Sequence, residues 1–375
     1  RHTKHAYTLA EFIHFMMAAS LRLAFMNVLL GAVAFEDREE CYSFLQVPAV
    51  RAAAGPPTFR LTWSSCSNGN AGNLMFEFAS AIGLAAFAGG PGASVCYTAG
   101  AFGRYRAEFE KMFGVAHAFP ECEALPPTSV CRANFHEVSQ SHMGFAEERV
   151  QALAANVSAL RKSSLCAGGV DVVIDGCLQS WKYFDGVSPE VRRLYTAGAE
   201  ARAAASAWIE GARGRLRGGE LQLVGVQVRL GDKVHEDINL EKYAPTNWTY
   251  FTTAMRYAEA QLVARRPSAR VAFVLTVGGD AEDREAAQGN LTAAVGTDRV
   301  LITDVADRMV DYAILSSMDG VVISVSTFGW WAAYVSDAHV VVAPRNVYLE
   351  AAGRTYENYR SEDAYPKTWK LIDNS

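Results

Sequence analysis

The sequence predicts an α/β protein built from two Rossmann-like halves that face a cleft. Three observations carry this prediction. Continuous apolar runs alternate with helical stretches throughout the second half. A glycine-rich turn joins an apolar strand to an apolar helix near the start of the first half. A basic, glycine-rich stretch, RGRLRGGE at 213–220, separates the two. Apolar strands without polar alternation are buried on both faces, which is the mark of a parallel sheet covered by helices.

Residues 1–35 form an apolar N-terminal segment, and 36–57, rich in Ala and Pro, read as a stem or linker. The first domain is expected over 58–217. It opens with the strand FRLTWSSCS, the turn NGNAGN and the helix LMFEFASAIGLAAFA. The strand SVCYT, a helix of mixed charge around Tyr105 to Phe113, the strand VDVVID and an Ala-rich helix from Pro189 to about Gly211 follow. The stretch from Pro120 to Gly144 reads as irregular. The second domain is expected over 218–375. Its strands are LQLVGVQV, VAFVLTV, RVLIT, GVVIS and HVVVAP. Its helices run over Thr249 to Ala264, Ala281 to Val295, Asp307 to Met318 and Gly329 to Ser336.

With 375 residues, each half is long enough to bury a core. The 35 basic and 40 acidic residues give a net charge of -5, and no patch interleaves aromatic with basic residues, so nucleic acid is not an expected partner. The seven cysteines (Cys41, Cys66, Cys96, Cys122, Cys131, Cys166 and Cys177) contain no C-x-x-C pair, which argues against zinc. Buried thiols and disulfides both remain open. Three sequons, at Asn156, Asn247 and Asn290, favour an oxidising compartment.

The run from Phe12 to Phe35 is long enough to cross a bilayer but contains His14, Arg22 and Asn27. A basic start and the acidic EDREE that follows fit a membrane anchor with its N-terminus in the cytoplasm. An amphipathic helix packed on the domain and a cleaved signal peptide fit the same stretch.

In open parallel sheets, ligands bind beyond the C-terminal ends of the strands. Five stretches stand there. In VQVRLGDKV, Arg229 can fork onto phosphate oxygens, Gly231 permits a sharp turn, and Asp232 can brace the arginine or serve as a base. In SNGNAGNLMFEFA, the glycines allow close approach and Asn73 offers a polar side chain at a helix start. In ISVSTFGWWAAYV, Ser324, Ser326 and Thr327 end a strand and open a helix, with Phe328 and two tryptophans behind them. Asp280 in TVGGDAEDR and Asp311 in DRMVDYAILSSMDG follow strands, and either can accept the N–H edge of a guanine. Each of these has a plainer reading as a helix cap, a turn or a solvated charge.

Four stretches of the chain resemble one known set. GNAGNLMFEFASAIGLA, QSWKYFDGVSPEVRRLY, VQVRLGDKV and DYAILSSMDGVVISVSTFGWWAAYVSD are similar, in order, to the motifs of the alpha-1,2-fucosyltransferases of glycosyltransferase family 11. The resemblance implies a GT-B fold, GDP-fucose as donor, an acceptor glycan with a terminal galactose, and no metal or other cofactor. It implies a Golgi enzyme of single-pass type II topology with a lumenal catalytic part. Carried over by position, Arg229 holds the pyrophosphate. Ser326, Thr327 and Phe328 line the donor phosphates and fucose, Asn73 faces the same cleft, and Asp311 is the guanine candidate.

Three positions depart from the family's pattern: Gln227 stands for its His, Leu230 for its second Arg, and Leu74 for the Gln of the first motif. Gln227 and Leu230 therefore keep a second reading open, a glycan- or nucleotide-binding homologue without activity. Transfer of fucose to protein Ser or Thr is a third reading, against which STFGWWAAY argues.

Overall fold

The computed structural model describes residues 55–62, 71–98, 109, 112–113, 120–122, 130–136, 144–216, 219–231, 242–349 and 359–374. The N-terminal segment and stem of residues 1–54 lie outside the described residues, as does Asp232. Residues 52–375 cluster into a single unit that carries two parallel sheets.

The first sheet holds β1 (Thr58–Leu61), β2 (Ser94–Tyr97), β3 (Val130–His136) and β4 (Gly169–Asp175), in the order β2-β1-β4-β3. The helices of this half are α1 (Ala71–Leu84), α2 (Glu147–Lys162), α3 (Ser188–Leu194) and α4 (Ala199–Arg215). Helix α1 is buried almost all round because both flanks face protein. A single π turn, Ala85–Gly89, extends it. Ala71–Gly89 is long and apolar enough to cross a membrane, but most of it is inside the protein, so it is a core helix.

The second sheet holds β5 (Leu221–Arg229), β6 (Arg270–Gly278), β7 (Val300–Ile302), β8 (Gly320–Ile323), β9 (Val340–Pro344) and β10 (Lys370–Ile372). Its helices are α5 (Trp248–Arg265), α6 (Ala281–Val295), α7 (Arg308–Ser316), α8 (Thr327–Val335) and α9 (Ser361–Ala364). All pairings are parallel, in the order β10-β9-β8-β5-β6-β7. The chain thus runs outward from β5 to β7 and then returns to begin again at β8. The strand order reverses between β5 and β8, which is where ligands enter doubly wound sheets. Burial follows the same logic. Every residue of β5 before Arg229 is buried, and all of β8 and β9.

Several expectations are corrected. The stretch from Pro120 to Gly144 is not wholly irregular, because it contains β3. That strand sits at the sheet edge and alternates Ala133 and Phe135 inward with Arg132, Asn134 and His136 outward. Its polar face hid it among loop-like residues. Helix α2 was also unforeseen; its surface is polar except for the stripe Val150, Leu153 and Val157. The Ala-rich helix is two helices, α3 and α4, interrupted between Tyr195 and Gly198. The boundary expected at 217/218 falls in the connection from α4 to β5.

Cys96 is bonded to Cys122 and Cys131 to Cys166, and Cys177 is disulfide-bonded to a cysteine outside the described residues. The choice between thiols and disulfides is therefore settled for these five. The sequon asparagines Asn156, Asn247 and Asn290 are all exposed.

Candidate functional site

A cleft of about 520 Å³ opens at the C-terminal ends of β5 and β6. Its walls come from the loops after these strands, from the first turns of α7 and α8, and from Ala71 and Gly72 of α1. The charged side chains lining it are Arg229, Arg284, Arg308 and Asp311. Among the described residues, three cations stand there against one acid.

Arg229 ends β5, and its backbone N–H donates to Ser324 Oγ across the switch point at 3.1 Å. Ser324 Oγ donates in turn to Gln227 Oε1 at 2.8 Å. Gly231 has φ 58°, a left-handed turn suited to glycine, and its N–H donates to Asp283 Oδ2 at 3.0 Å. Asp283 also accepts from the Asp280 N–H at 3.2 Å, so one buried carboxylate fastens the loops after β5 and β6 together. Leu230 is buried in the cleft wall and in the apolar core on one face of the second sheet.

The hydroxyl string after β8 divides its labour. Ser326 lines the cleft and caps α8, its Oγ accepting from the Gly329 N–H at 3.4 Å. Thr327 packs against Gly72, where a Cβ would come within 2.6 Å of Thr327 Oγ1. Phe328 lines the cleft, edge-on to Tyr312 with ring centroids 5.6 Å apart. Trp331 Nε1 donates to the Gly72 carbonyl at 2.9 Å, and its ring packs on Phe76, Phe184 and Tyr195. Trp330 Nε1 donates to the Ala364 carbonyl at 2.8 Å. The tryptophans therefore fix the first turn of α8 against α1, and so couple the first sheet's helix to the floor of the cleft.

Asp311 stands in the first turn of α7 with Oδ1 buried and without a hydrogen-bond partner among the described residues. Burial raises its carboxyl from 3.8 to about 6, with the Thr303 hydroxyl and the Arg284 guanidinium pulling the other way. Thr303 lies near enough to favour the ionised form but not in hydrogen-bonding geometry with it. The buried hydroxyl of Thr276, on β6, is also without a hydrogen-bond partner among the described residues. Buried polar groups in native proteins are nearly always paired, and these two unpaired groups both belong to residues of the cleft wall.

Of the residues singled out in the sequence, Gln227, Arg229, Asp311, Ser326 and Phe328 line one cleft. Thr327 and Asn73 sit directly beside its lining residues. Asp280 does not line it. Its carboxylate accepts from the Asp283 N–H and forms a capping box at the start of α6. Sequence reasoning missed Arg284, Arg308 and Thr276. The arginines carried a signal: both stand near helix N-termini, where a positive charge opposes the helix dipole.

Fold and site together define an α/β protein with an arginine-lined cleft at a topological switch point. The sequence model of glycosyl transferase family 11 matches residues 168–373, more than half of the chain, and the chain belongs to that family. It is similar to galactoside alpha-(1,2)-fucosyltransferase 2 of Rattus norvegicus, 30% identical over 165 residues, which is 43% of this chain and 43% of that protein. The same enzyme of Oryctolagus cuniculus is 30% identical over 164 residues, 43% of each chain. That of Mus musculus is 29% identical over 165 residues, 43% of this chain and 44% of the relative. The chain thus matches less than half the length of these curated relatives.

Proposed function

We propose that the chain is an inverting fucosyltransferase of GT-B architecture that moves L-fucose from GDP-fucose to the galactose 2-hydroxyl of a glycan. The observation that carries this reading is the gathering of Arg229, Arg284, Arg308 and the unpaired Asp311 in one cleft of a family 11 chain. In this reading Asp311 accepts two N–H bonds from the guanine edge. Arg229 and the first-turn N–H groups of α8 take the diphosphate, whose negative charge grows as the glycosidic bond breaks. The arginines supply charge that a metal would otherwise supply, so no metal is required. Asn73 faces the sugar, and Asp232 is the candidate base for the acceptor hydroxyl. The proposed setting is the Golgi lumen, with residues 1–35 as the membrane anchor; the disulfides and exposed sequon asparagines support it.

The test is transfer of labelled GDP-fucose by the purified chain to a panel of β-galactosides in EDTA. Metal-free transfer, lost in Arg229→Ala, is the expected result. Saturable GDP binding with no turnover on any galactoside would refute it and favour the second reading, a nucleotide-binding homologue without activity, which Gln227 and Leu230 motivate.

A further inference from the structure

Gln227 is 5% exposed, yet only half of its carboxamide is used by the protein. Its Oε1 accepts from Ser324 Oγ at 2.8 Å and from the Ser324 N–H at 3.3 Å. A backbone N–H can only donate, so the atom facing it must be the oxygen, and this fixes which way the amide points. Because Oε1 can only accept, the Ser324 hydroxyl donates its proton there, while its oxygen accepts from the Arg229 N–H. Gly329 closes the same side, for a Cβ there would come within 2.5 Å of Oε1. Nε2 is left pointing the other way. It makes no hydrogen bond among the described residues, and Gln227 lines the cleft. Gln227 lies two residues before Arg229 on β5, so their side chains leave the same face of the sheet, beside the first turn of α8.

We infer that Gln227 Nε2 is a pre-aimed, non-titrating hydrogen-bond donor to an oxygen of the diphosphate bound in this cleft. The inference rests on reading the cleft as a sugar-nucleotide site. Gln227 is then a binding residue held in position by Ser324 and Gly329. It supplies a donor at every pH, where an imidazole would supply a second one only when protonated.

The test uses the full chain, isothermal titration, and three probes: inorganic pyrophosphate, GDP and guanosine. Gln227→Glu keeps the oxygen that Ser324 and Gly329 require and replaces only the outward NH₂. At pH 8 this variant should bind pyrophosphate and GDP at least roughly 10- to 100-fold more weakly, the worth of one hydrogen bond to a charged group, with carboxylate–phosphate repulsion adding to the loss. Its guanosine affinity should not change. At pH 5 its pyrophosphate affinity, relative to wild type at the same pH, should recover, because a protonated glutamate again offers a donor. Gln227→Met, which is neutral, should lose pyrophosphate affinity at both pH values. Wild-type pyrophosphate affinity in Gln227→Met would overturn the inference, as would parallel loss of all three ligands with a lowered Tm. Wild type that binds pyrophosphate without preferring GDP would sink the GDP-fucose reading and leave Gln227 judged on pyrophosphate alone. Wild type that binds no phosphate ligand would sink both.

Discussion

Asp311→Asn separates the stability of the empty cleft from its affinity for a base. The carboxyl is raised from 3.8 to about 6 by burial, so the folded protein holds this proton more tightly than the unfolded chain. The sign follows. The neutral acid is fully favourable below 3.8, and that benefit is lost as pH rises through about 6. The gap between the two values corresponds to about 3 kcal/mol of destabilisation at neutral pH. Asparagine fills the same space without a charge to desolvate. The variant should therefore be more stable than wild type at pH 7.5, by on the order of 2–3 kcal/mol or a few degrees in Tm, and no more stable at pH 4. Its GDP affinity should fall by roughly 10²- to 10⁴-fold, the loss of two charge-assisted hydrogen bonds. Wild type should prefer GDP over inosine diphosphate, which lacks the 2-amino donor, and the variant should not. Wild-type GDP binding itself should weaken as pH falls below about 6. Thermal melts at the two pH values and titration with both nucleotides check this. A variant that is destabilised at pH 7.5 while binding GDP like wild type would refute the reasoning.

Asp280→Ala should cost about 1 kcal/mol, the worth of a helix cap, and leave the KM for donor unchanged; a raised KM would restore Asp280 to the site. Gly72→Ala should cost roughly 1–3 kcal/mol by forcing α1 away from Thr327, and should raise the donor KM because the first turn of α8 moves with it; a melt and a KM like those of wild type would contradict that close approach. Trp331→Phe keeps much of the ring packing but strands the Gly72 carbonyl, so a loss of about 1–3 kcal/mol is expected in denaturant melts, and an unchanged midpoint would show that the bond contributes nothing.

The second half was legible because its strands are buried on both faces. LQLVGVQV, VAFVLTV and GVVIS have almost no polar interruptions, and the second half's helices α5 to α8 begin at Asn, Asp or Ser caps. Even the reversal of strand order between β5 and β8 fits the motif positions, since Arg229 ends β5 and Ser324 directly follows β8. The edge strand β3 and the surface helix α2 were not legible. Each shows water one full face, so polar residues fill half the pattern and imitate a loop. The single carboxylate of Asp283 could not be distinguished from Asp280 by sequence. Both occupy the start of α6, and only folding decides that one reaches across to the Gly231 N–H while the other caps the helix. Thr276 was invisible for another reason: a β-branched residue inside an apolar strand is ordinary, and its meaning lies in the hydrogen bond it lacks.

Leu230 stands where the resemblance implies a second arginine, and the structure places other arginines in the same cleft. The cleft already holds two arginines beyond Arg229, and they come from other elements: Arg284 from the first turns of α6 and Arg308 from the start of α7. Leu230, by contrast, belongs to the apolar cluster on that side of the sheet, and its N–H is tied to the Gly278 carbonyl at 2.8 Å. A diphosphate responds to the summed field of nearby cations as much as to any one of them. If the charge is shared in this way, Arg308→Ala should weaken GDP binding by about 10-fold or more, and Leu230→Arg placed on that background should restore part of it while lowering Tm through lost packing. The double-mutant cycle in titration and melts decides the matter. Arg308→Ala with unchanged GDP affinity would show that the cation at 308 is no partner of the phosphates. A cycle with no recovery would show that position 230 cannot deliver charge to the same anion.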